Sequence, residues 1–121
     1  MSDVFVPLAS ASEFDRLLAA SHDAPVIVFK HSESCGASWM AETSLAEQRL
    51  PAPVHRVVVQ RQRELSARIA AALGVRHESP QVLILVDGRV AWHTSHSGVT
   101  RERVIAAFER LRDARAGAVT V

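Results

Sequence analysis

The sequence contains a single cysteine and no tyrosine, and only 5% of its residues are aromatic. One cysteine cannot form a disulfide within the chain, so any thiol–disulfide chemistry must use a thiol from another molecule. The scarcity of aromatic residues argues against a surface that stacks on nucleic-acid bases. A formal net charge of +1 likewise gives no electrostatic basis for binding nucleic acid.

Long apolar runs and targeting features are also missing. No apolar run approaches the ~20 residues that a membrane-spanning helix needs. Residues 1–7 show neither the basic region nor the long apolar region of a secretory signal. We therefore expect no membrane association and a cytoplasmic location.

The bulk composition is typical of one globular domain. The chain has 121 residues, of which 48% are hydrophobic and 22% are charged. This length is sufficient to bury a core without disulfides. We predict a single domain over 1–121, with a frayed tail from about residue 116.

Apolar patterning predicts strands and helices in the order β-α-β-α-β-α-β-β-α. Ser10 and Glu13 have the spacing of a helix capping box, and Asp87-Gly88 is a strong hairpin signal. Crossover helices early in the chain imply parallel strands, and the late hairpin implies an antiparallel pair, so the pattern predicts a mixed sheet covered by helices on both faces. The predicted strands are 4–6, 26–30, 54–60, 81–86 and 89–93, and the third and last helices are 61–73 and from Thr100 onwards.

The single cysteine, Cys35, lies where the apolar strand over 26–30 gives way to a predicted helix. The first turn of a helix has unpaired N–H groups and the positive end of the helix dipole, which stabilise a thiolate. Lys30 and His31 add positive charge nearby in sequence, and Glu33 opposes it. Cys35 is therefore the candidate nucleophile.

Several segments resemble the monothiol bacilliredoxins, a family with the thioredoxin fold. They are Phe29-Lys30-His31-Ser32 before Cys35, Ser38 three residues after it, the run Gly74–Val82 and Trp92–His96. The most specific of these is the His-Glu-Ser-Pro-Gln motif over 77–81. One departure is clear, because the family usually has proline and a larger apolar residue where this chain has Gly36 and Ala37.

The resemblance implies an α/β, thioredoxin-like fold with a mixed central sheet of four to five strands flanked by helices. It also implies an oxidoreductase that removes bacillithiol from protein mixed disulfides formed under oxidative stress, with Cys35 as its redox-active centre. Bacillithiol would be the co-substrate thiol, with no tightly bound cofactor and no metal. The partners implied are bacillithiolated proteins and a low-molecular-weight thiol.

The resemblance also assigns roles around the cysteine. Ser38, at i+3, is expected to give the Cys35 thiolate a hydroxyl hydrogen bond. Pro80 matches the proline that thioredoxin-like proteins hold in cis, with the Ser79 backbone pairing with the substrate chain. The expected substrate-binding residues are Lys30, His31, Gly36, His77, Ser79 and Pro80.

Other residues have simpler interpretations. Core packing is the favoured role for Trp39. His93 and His96 have a metal-like spacing, but the sequence shows no convincing further ligands.

Two other functions stay open at this stage. The Cys-Gly-Ala-Ser turn is also compatible with a thioredoxin-like binding module that recognises partner chains near Pro80 without turnover. A third interpretation is a monothiol glutaredoxin-like carrier that holds an iron–sulfur cluster between two subunits through Cys35 and external thiols.

Overall fold

The computed structural model describes residues 4–119, with side chains to residue 117. Within this range, five strands and four α-helices follow one another in the predicted order. The strands are β1 (Phe5–Pro7), β2 (Val26–His31), β3 (Val54–Val58), β4 (Gln81–Val86) and β5 (Arg89–Ser95). The helices are α1 (Ala11–Ala20), α2 (Gly36–Ala46), α3 (Arg63–Leu73) and α4 (Arg101–Val119), and a short 3-10 turn, His96–Gly98, precedes α4.

The strands form one mixed sheet in the order β1-β3-β2-β4-β5. β3 pairs in parallel with both β1 and β2, whereas β4 pairs antiparallel with β2 and β5. This arrangement confirms the predicted mixed sheet. It also places β2, which carries the segment before Cys35, at the centre of the sheet.

Two apolar layers cover the sheet, one on each face. Side chains of α2 and α4 pack on one face, and side chains of α1 and α3 pack on the other. All six residues of β2 are buried, as expected for a strand that is covered on both sides. Alternate β2 side chains point to opposite faces, so His31 faces the α2 layer while Lys30 faces α3.

Local signals in the sequence account for the element ends. Ser10 caps α1 by accepting the Glu13 N–H at 3.2 Å. Gly74 ends α3 in the left-handed region with φ 65°, and Asp87 and Gly88 turn the β4–β5 hairpin with φ 54° and 76°. These are the capping and turn roles that the sequence predicts.

Several predicted bounds are wrong by a few residues. β3 ends at Val58 rather than at residue 60, and β5 continues to Ser95 because that residue pairs with Gln81. α4 runs to Val119, and fraying from about residue 116 stays a prediction. Residues 120 and 121, the end of that predicted tail, lie outside the described residues.

Within residues 4–119, no helix is both long enough and apolar enough to cross a membrane.

Candidate active site

Cys35 occupies the N-cap position of α2, in extended conformation with φ −114° and ψ 119°. Its side chain is partly exposed and is not in a disulfide. The backbone carbonyl of Cys35 accepts the N–H groups of Ser38 and Trp39, which begin the helical hydrogen bonding. The thiol therefore lies at the amino end of α2, just beyond the end of β2, as the sequence predicts.

The side chain of Gln60 holds the loop between β2 and Cys35. Its Oε1 accepts the backbone N–H of Glu33 at 3.0 Å. Its Nε2 donates to Ser32 Oγ at 2.7 Å and to Ser34 Oγ at 3.0 Å. One amide thus binds three successive residues immediately before Cys35, and this restrains the path by which the chain reaches the thiol.

The Ser38 side chain is fully buried and its hydroxyl is engaged with groups other than the thiol. Its Oγ accepts the Ser32 backbone N–H at 2.9 Å and lies 3.0 Å from His31 Nδ1. Neither partner is Cys35. The expected hydroxyl–thiolate hydrogen bond is therefore not formed in this conformation, because Ser38 turns inwards toward β2.

His31 is also buried, being 1% exposed, so its side chain offers almost no surface for the predicted contact with substrate. The edge of its ring meets Trp39 with the ring centroids 4.6 Å apart. Its Nδ1 lies 3.9 Å from Glu42 Oε1. Desolvation by burial lowers the pKa of His31, outweighing the carboxylate of Glu42, which acts to raise it.

Lys30 is fully buried on the opposite face of the sheet, so it too offers no surface for the predicted contact with substrate. Its Nζ donates to the Ser66 carbonyl at 3.0 Å and lies 3.2 Å from His77 Nδ1. Desolvation by burial lowers the pKa of Lys30 to about 8. The resemblance that suggests both contacts does not show how deeply the end of β2 is covered.

The remaining predicted substrate-binding residues lie near this end of the sheet. Lys30 pairs with Gln81 in the β2–β4 register, which brings Ser79 and Pro80 beside the segment that leads to Cys35. The Ser79–Pro80 peptide bond is cis, as predicted. The Pro80 side chain is buried and Ser79 is partly buried.

His77 and Gly36 are both exposed. His77 nevertheless has its Nδ1 near Lys30 Nζ. Burial and the charge of Lys30 both lower the pKa of His77. A Cβ added at Gly36 would meet no atom within 4 Å, so the first residue of α2 is open to an approaching partner.

Two residues at the site were missed or misjudged by sequence reasoning. Trp39 is 48% exposed rather than buried in the core, and its Nε1 donates to the Glu33 carbonyl at 2.9 Å. Gln60 carried no signal, since it lies 25 positions after Cys35.

No group of three or more His, Cys, Asp or Glu side chains among the described residues has a geometry that could hold a metal ion.

A comparison with known protein families shows which family the chain belongs to. The family described as monothiol bacilliredoxin BrxC matches residues 6–104. The chain belongs to this family. Its bacilliredoxin segment therefore includes Cys35, the buried residues of β2 and the loop with the cis peptide bond.

Solved structures agree with that assignment. A protein described as "a putative oxidoreductase with a thioredoxin fold" is 31% identical, with a TM-score of 0.74 over 88% of this chain and 94% of that one. A mutant thioredoxin from Halobacterium salinarum is 22% identical, with a TM-score of 0.64 over 92% and 93% of the two chains. Spinach chloroplast thioredoxin f is 20% identical, with a TM-score of 0.66 over 92% and 96%.

The similarity to the two thioredoxins shows that the chain has the thioredoxin fold. Together with membership of the bacilliredoxin family, the first similarity supports a thiol oxidoreductase.

Proposed function

We propose that this bacilliredoxin removes bacillithiol from protein mixed disulfides by a monothiol mechanism at Cys35. The Cys35 thiolate attacks the bacillithiol sulfur, the mixed disulfide breaks, and the protein cysteine leaves as a thiolate. Bacillithiol is then disulfide-bonded to Cys35. A second bacillithiol thiolate attacks that bond, which releases bacillithiol disulfide and regenerates the Cys35 thiolate.

The observation that carries this proposal is the position of Cys35 at the N-cap of α2, partly exposed, in a chain with no second cysteine. The free N–H groups and the dipole of the first helical turn favour a thiolate there. Without a resolving cysteine in the chain, the adduct must be released by an external thiol. A small thiol co-substrate meets that requirement.

Exposed apolar side chains next to the thiol support a protein as the other substrate. Trp39 and Met40, in the first turn and a half of α2, are 48% and 75% exposed. Met40 also lines an apolar groove of about 280 Å³ that extends between α2 and the turn at His96–Gly98. Exposed apolar surface of this kind is typical of a site that contacts another protein.

The test is removal of bacillithiol from a model protein that carries it on a single cysteine. Wild-type protein with excess bacillithiol should release the model thiol catalytically, and Cys35→Ser should be inactive. Ser34→Cys in the Cys35→Ser background is a matched control, because it restores a thiol one residue away from the N-cap and should restore little activity.

Full activity of Cys35→Ser would remove Cys35 as the nucleophile. The wild-type protein could form the Cys35 adduct and lose it only when a dithiol protein is added. In that case the attack by Cys35 stands, and a dithiol protein rather than bacillithiol releases the adduct. Absence of any adduct would favour the binding-module interpretation.

A further inference from the structure

His31 and Ser38 form a buried polar pair beside the first turn of α2. His31 Nδ1 lies 3.0 Å from Ser38 Oγ, which also accepts the Ser32 backbone N–H at 2.9 Å. The rings of Phe29 and Trp39 flank the imidazole. Its other nitrogen, Nε2, is buried and has no hydrogen-bond partner in the described part of the chain. The location of the imidazole proton therefore decides how the whole pair is hydrogen bonded.

A neutral His31 has two possible arrangements. In one, the Ser38 hydroxyl donates to Nδ1, and the imidazole proton sits on Nε2, where it meets no acceptor. In the other, Nδ1–H donates to Ser38 Oγ, and Nε2 is an unprotonated acceptor. Buried N–H groups without an acceptor are rarer in proteins than under-used acceptors. The pattern of partners therefore favours the proton on Nδ1.

The charges that face His31 favour the same tautomer. From α2, the Glu42 carboxylate lies 3.9 Å from Nδ1 and attracts a proton to that nitrogen. From β3, Arg56 pairs with the same carboxylate and partly offsets it. From the loop before α2, Glu33 adds a second negative charge. Arg61 pairs with Glu33 at 2.8 Å, so that carboxylate is offset as well. The Glu42 carboxylate is the charge nearest to Nδ1, and its position favours a proton on that nitrogen.

We propose that His31 is a positioning residue for Cys35: by donating Nδ1–H to Ser38 Oγ, it leaves the Ser38 hydroxyl proton free for the Cys35 thiolate. The backbone N–H of Ser32 and the imidazole then occupy both acceptor positions of the hydroxyl, so its own proton is the one hydrogen-bonding group left. Cys35 is the N-cap and Ser38 the third residue of α2, so both side chains belong to the first turn of the helix. The contact requires the thiol to turn toward the Ser38 hydroxyl, and rotation of the O–H bond then completes it when the thiolate forms.

This inference rests on the proposed function, because it concerns the reactivity of the same cysteine. It also changes the role of His31 from a substrate contact to a buried residue that acts through Ser38. The hydrogen bond to the thiolate, expected from sequence, then depends on where the imidazole holds its proton.

The test measures the fraction of Cys35 present as thiolate, from its ultraviolet absorbance across a pH series, in wild type and variants. Ser38→Ala should lower that fraction about tenfold at a fixed pH well below the midpoint of the wild-type titration, as expected for loss of one charge-assisted hydrogen bond. His31→Leu should lower it equally, and the double variant no further, because both act through one bond. His31→Asn should keep the wild-type value, since its amide N–H replaces Nδ1–H and does not titrate.

A thiolate fraction in His31→Leu equal to that of wild type would overturn the proposal, as would losses that add in the double variant. A merely structural role would lower the denaturation midpoint of the variants and leave the thiolate fraction unchanged. If His31→Leu does not fold, the His31→Asn variant decides. A tenfold lower thiolate fraction in His31→Asn overturns the proposal. A wild-type thiolate fraction in His31→Asn, together with a lower fraction in Ser38→Ala, supports it. Failure of wild type to react with bacillithiol disulfide would instead count against the proposed function, while the thiolate titration would still report on His31.

Discussion

The Lys30 ammonium lies 3.2 Å from Nδ1 of His77, and this contact joins the buried end of β2 to the loop that precedes β4. Lys30 also donates to the Ser66 carbonyl at the start of α3. A protonated Lys30 requires His77 Nδ1 to act as acceptor, which places the imidazole proton on Nε2. The pair therefore fixes the tautomer of an exposed histidine next to the Ser79–Pro80 segment.

Replacing Lys30 by methionine should change how stability depends on alkaline pH. Burial lowers the pKa of Lys30 to about 8, from an ordinary 10.5. Between these values the unfolded chain binds a proton that the native protein does not, so the Lys30 contribution to the free energy of unfolding rises with pH. Urea unfolding of wild type and Lys30→Met across this range should show wild type gaining stability relative to the variant.

The difference in free energy of unfolding between wild type and Lys30→Met should not stay constant from about pH 8 to about pH 10.5. A constant difference would contradict the lowered pKa of the buried Lys30 amine. Lys30 is the only lysine in the chain, and the sequence has no tyrosine, so few other side chains titrate in this range.

Gln60→Ala should loosen the loop before Cys35. The substitution leaves the Glu33 N–H and the hydroxyls of Ser32 and Ser34 without the Gln60 amide. We expect a loss of about 1–3 kcal/mol in the free energy of unfolding. Faster amide hydrogen exchange at Glu33 would locate the effect in the loop.

Gln62→Ala is the matched control for Gln60→Ala, since the Gln62 side chain makes no capping hydrogen bond at the start of α3. Its stability and the exchange of Glu33 should stay near the wild-type values. Equal effects of the two substitutions would show that Gln60 does not hold the loop.

Gly36→Pro should stabilise the protein while keeping the site intact. Gly36 is the first residue of α2, where proline fits and no intrahelical N–H bond is lost. Cys35 already has the extended conformation that a residue before proline requires, and open space surrounds the position of the new side chain. We expect a gain of about 0.5–1 kcal/mol in the free energy of unfolding, measured by urea denaturation.

Gly74→Ala provides the opposite control. There is also open space around Gly74, but its φ of +65° is strained for a residue with a side chain. This substitution should cost about 1 kcal/mol. Destabilisation by Gly36→Pro would show that the start of α2 differs from the one described.

Mild acid should destabilise the protein through three histidines whose pKa values are lowered in the native state. Burial lowers the pKa values of His31, His55 and His77 below the ordinary value of 6.5. Below that pH the unfolded chain binds protons that the native protein does not, so the free energy of unfolding falls as pH falls. Urea denaturation at about pH 7 and about pH 5 should show this loss, and His55→Gln should reduce it.

Equal losses of stability between the two pH values in wild type and His55→Gln would exclude His55 as a contributor. His55 suits this comparison because it lies on β3, and no role in the thiol chemistry is proposed for it.

The sequence was sufficient for the fold because its local signals agreed with one another. The apolar run of β2, the glycine after α3 and the Asp87-Gly88 turn each specify their own element, and together they specify the order. The position of Cys35 follows from the same signals, since a strand end and a helix start leave one place for it.

The depth of the side chains around Cys35 could not be read from the sequence in the same way. Lys30 and His31 are polar residues at the end of an apolar strand, where polarity usually indicates exposure. They are buried because Ser66, His77 and Ser38 supply hydrogen-bond partners from distant or neighbouring elements. These hydrogen bonds form only when α2 and α3 pack on the sheet, so the sequence alone does not reveal them.

The proposed function predicts that Cys35 exchanges with bacillithiol in preference to other small thiols. Its most direct test is the intact mass of the protein after incubation with bacillithiol disulfide, beside glutathione disulfide and beside Cys35→Ser. We expect a rapid, reducible adduct of one bacillithiol on wild type, little glutathione adduct, and no adduct on Cys35→Ser. Equal reaction with both disulfides would contradict the bacillithiol assignment, and an adduct on Cys35→Ser would contradict the assignment of the nucleophile.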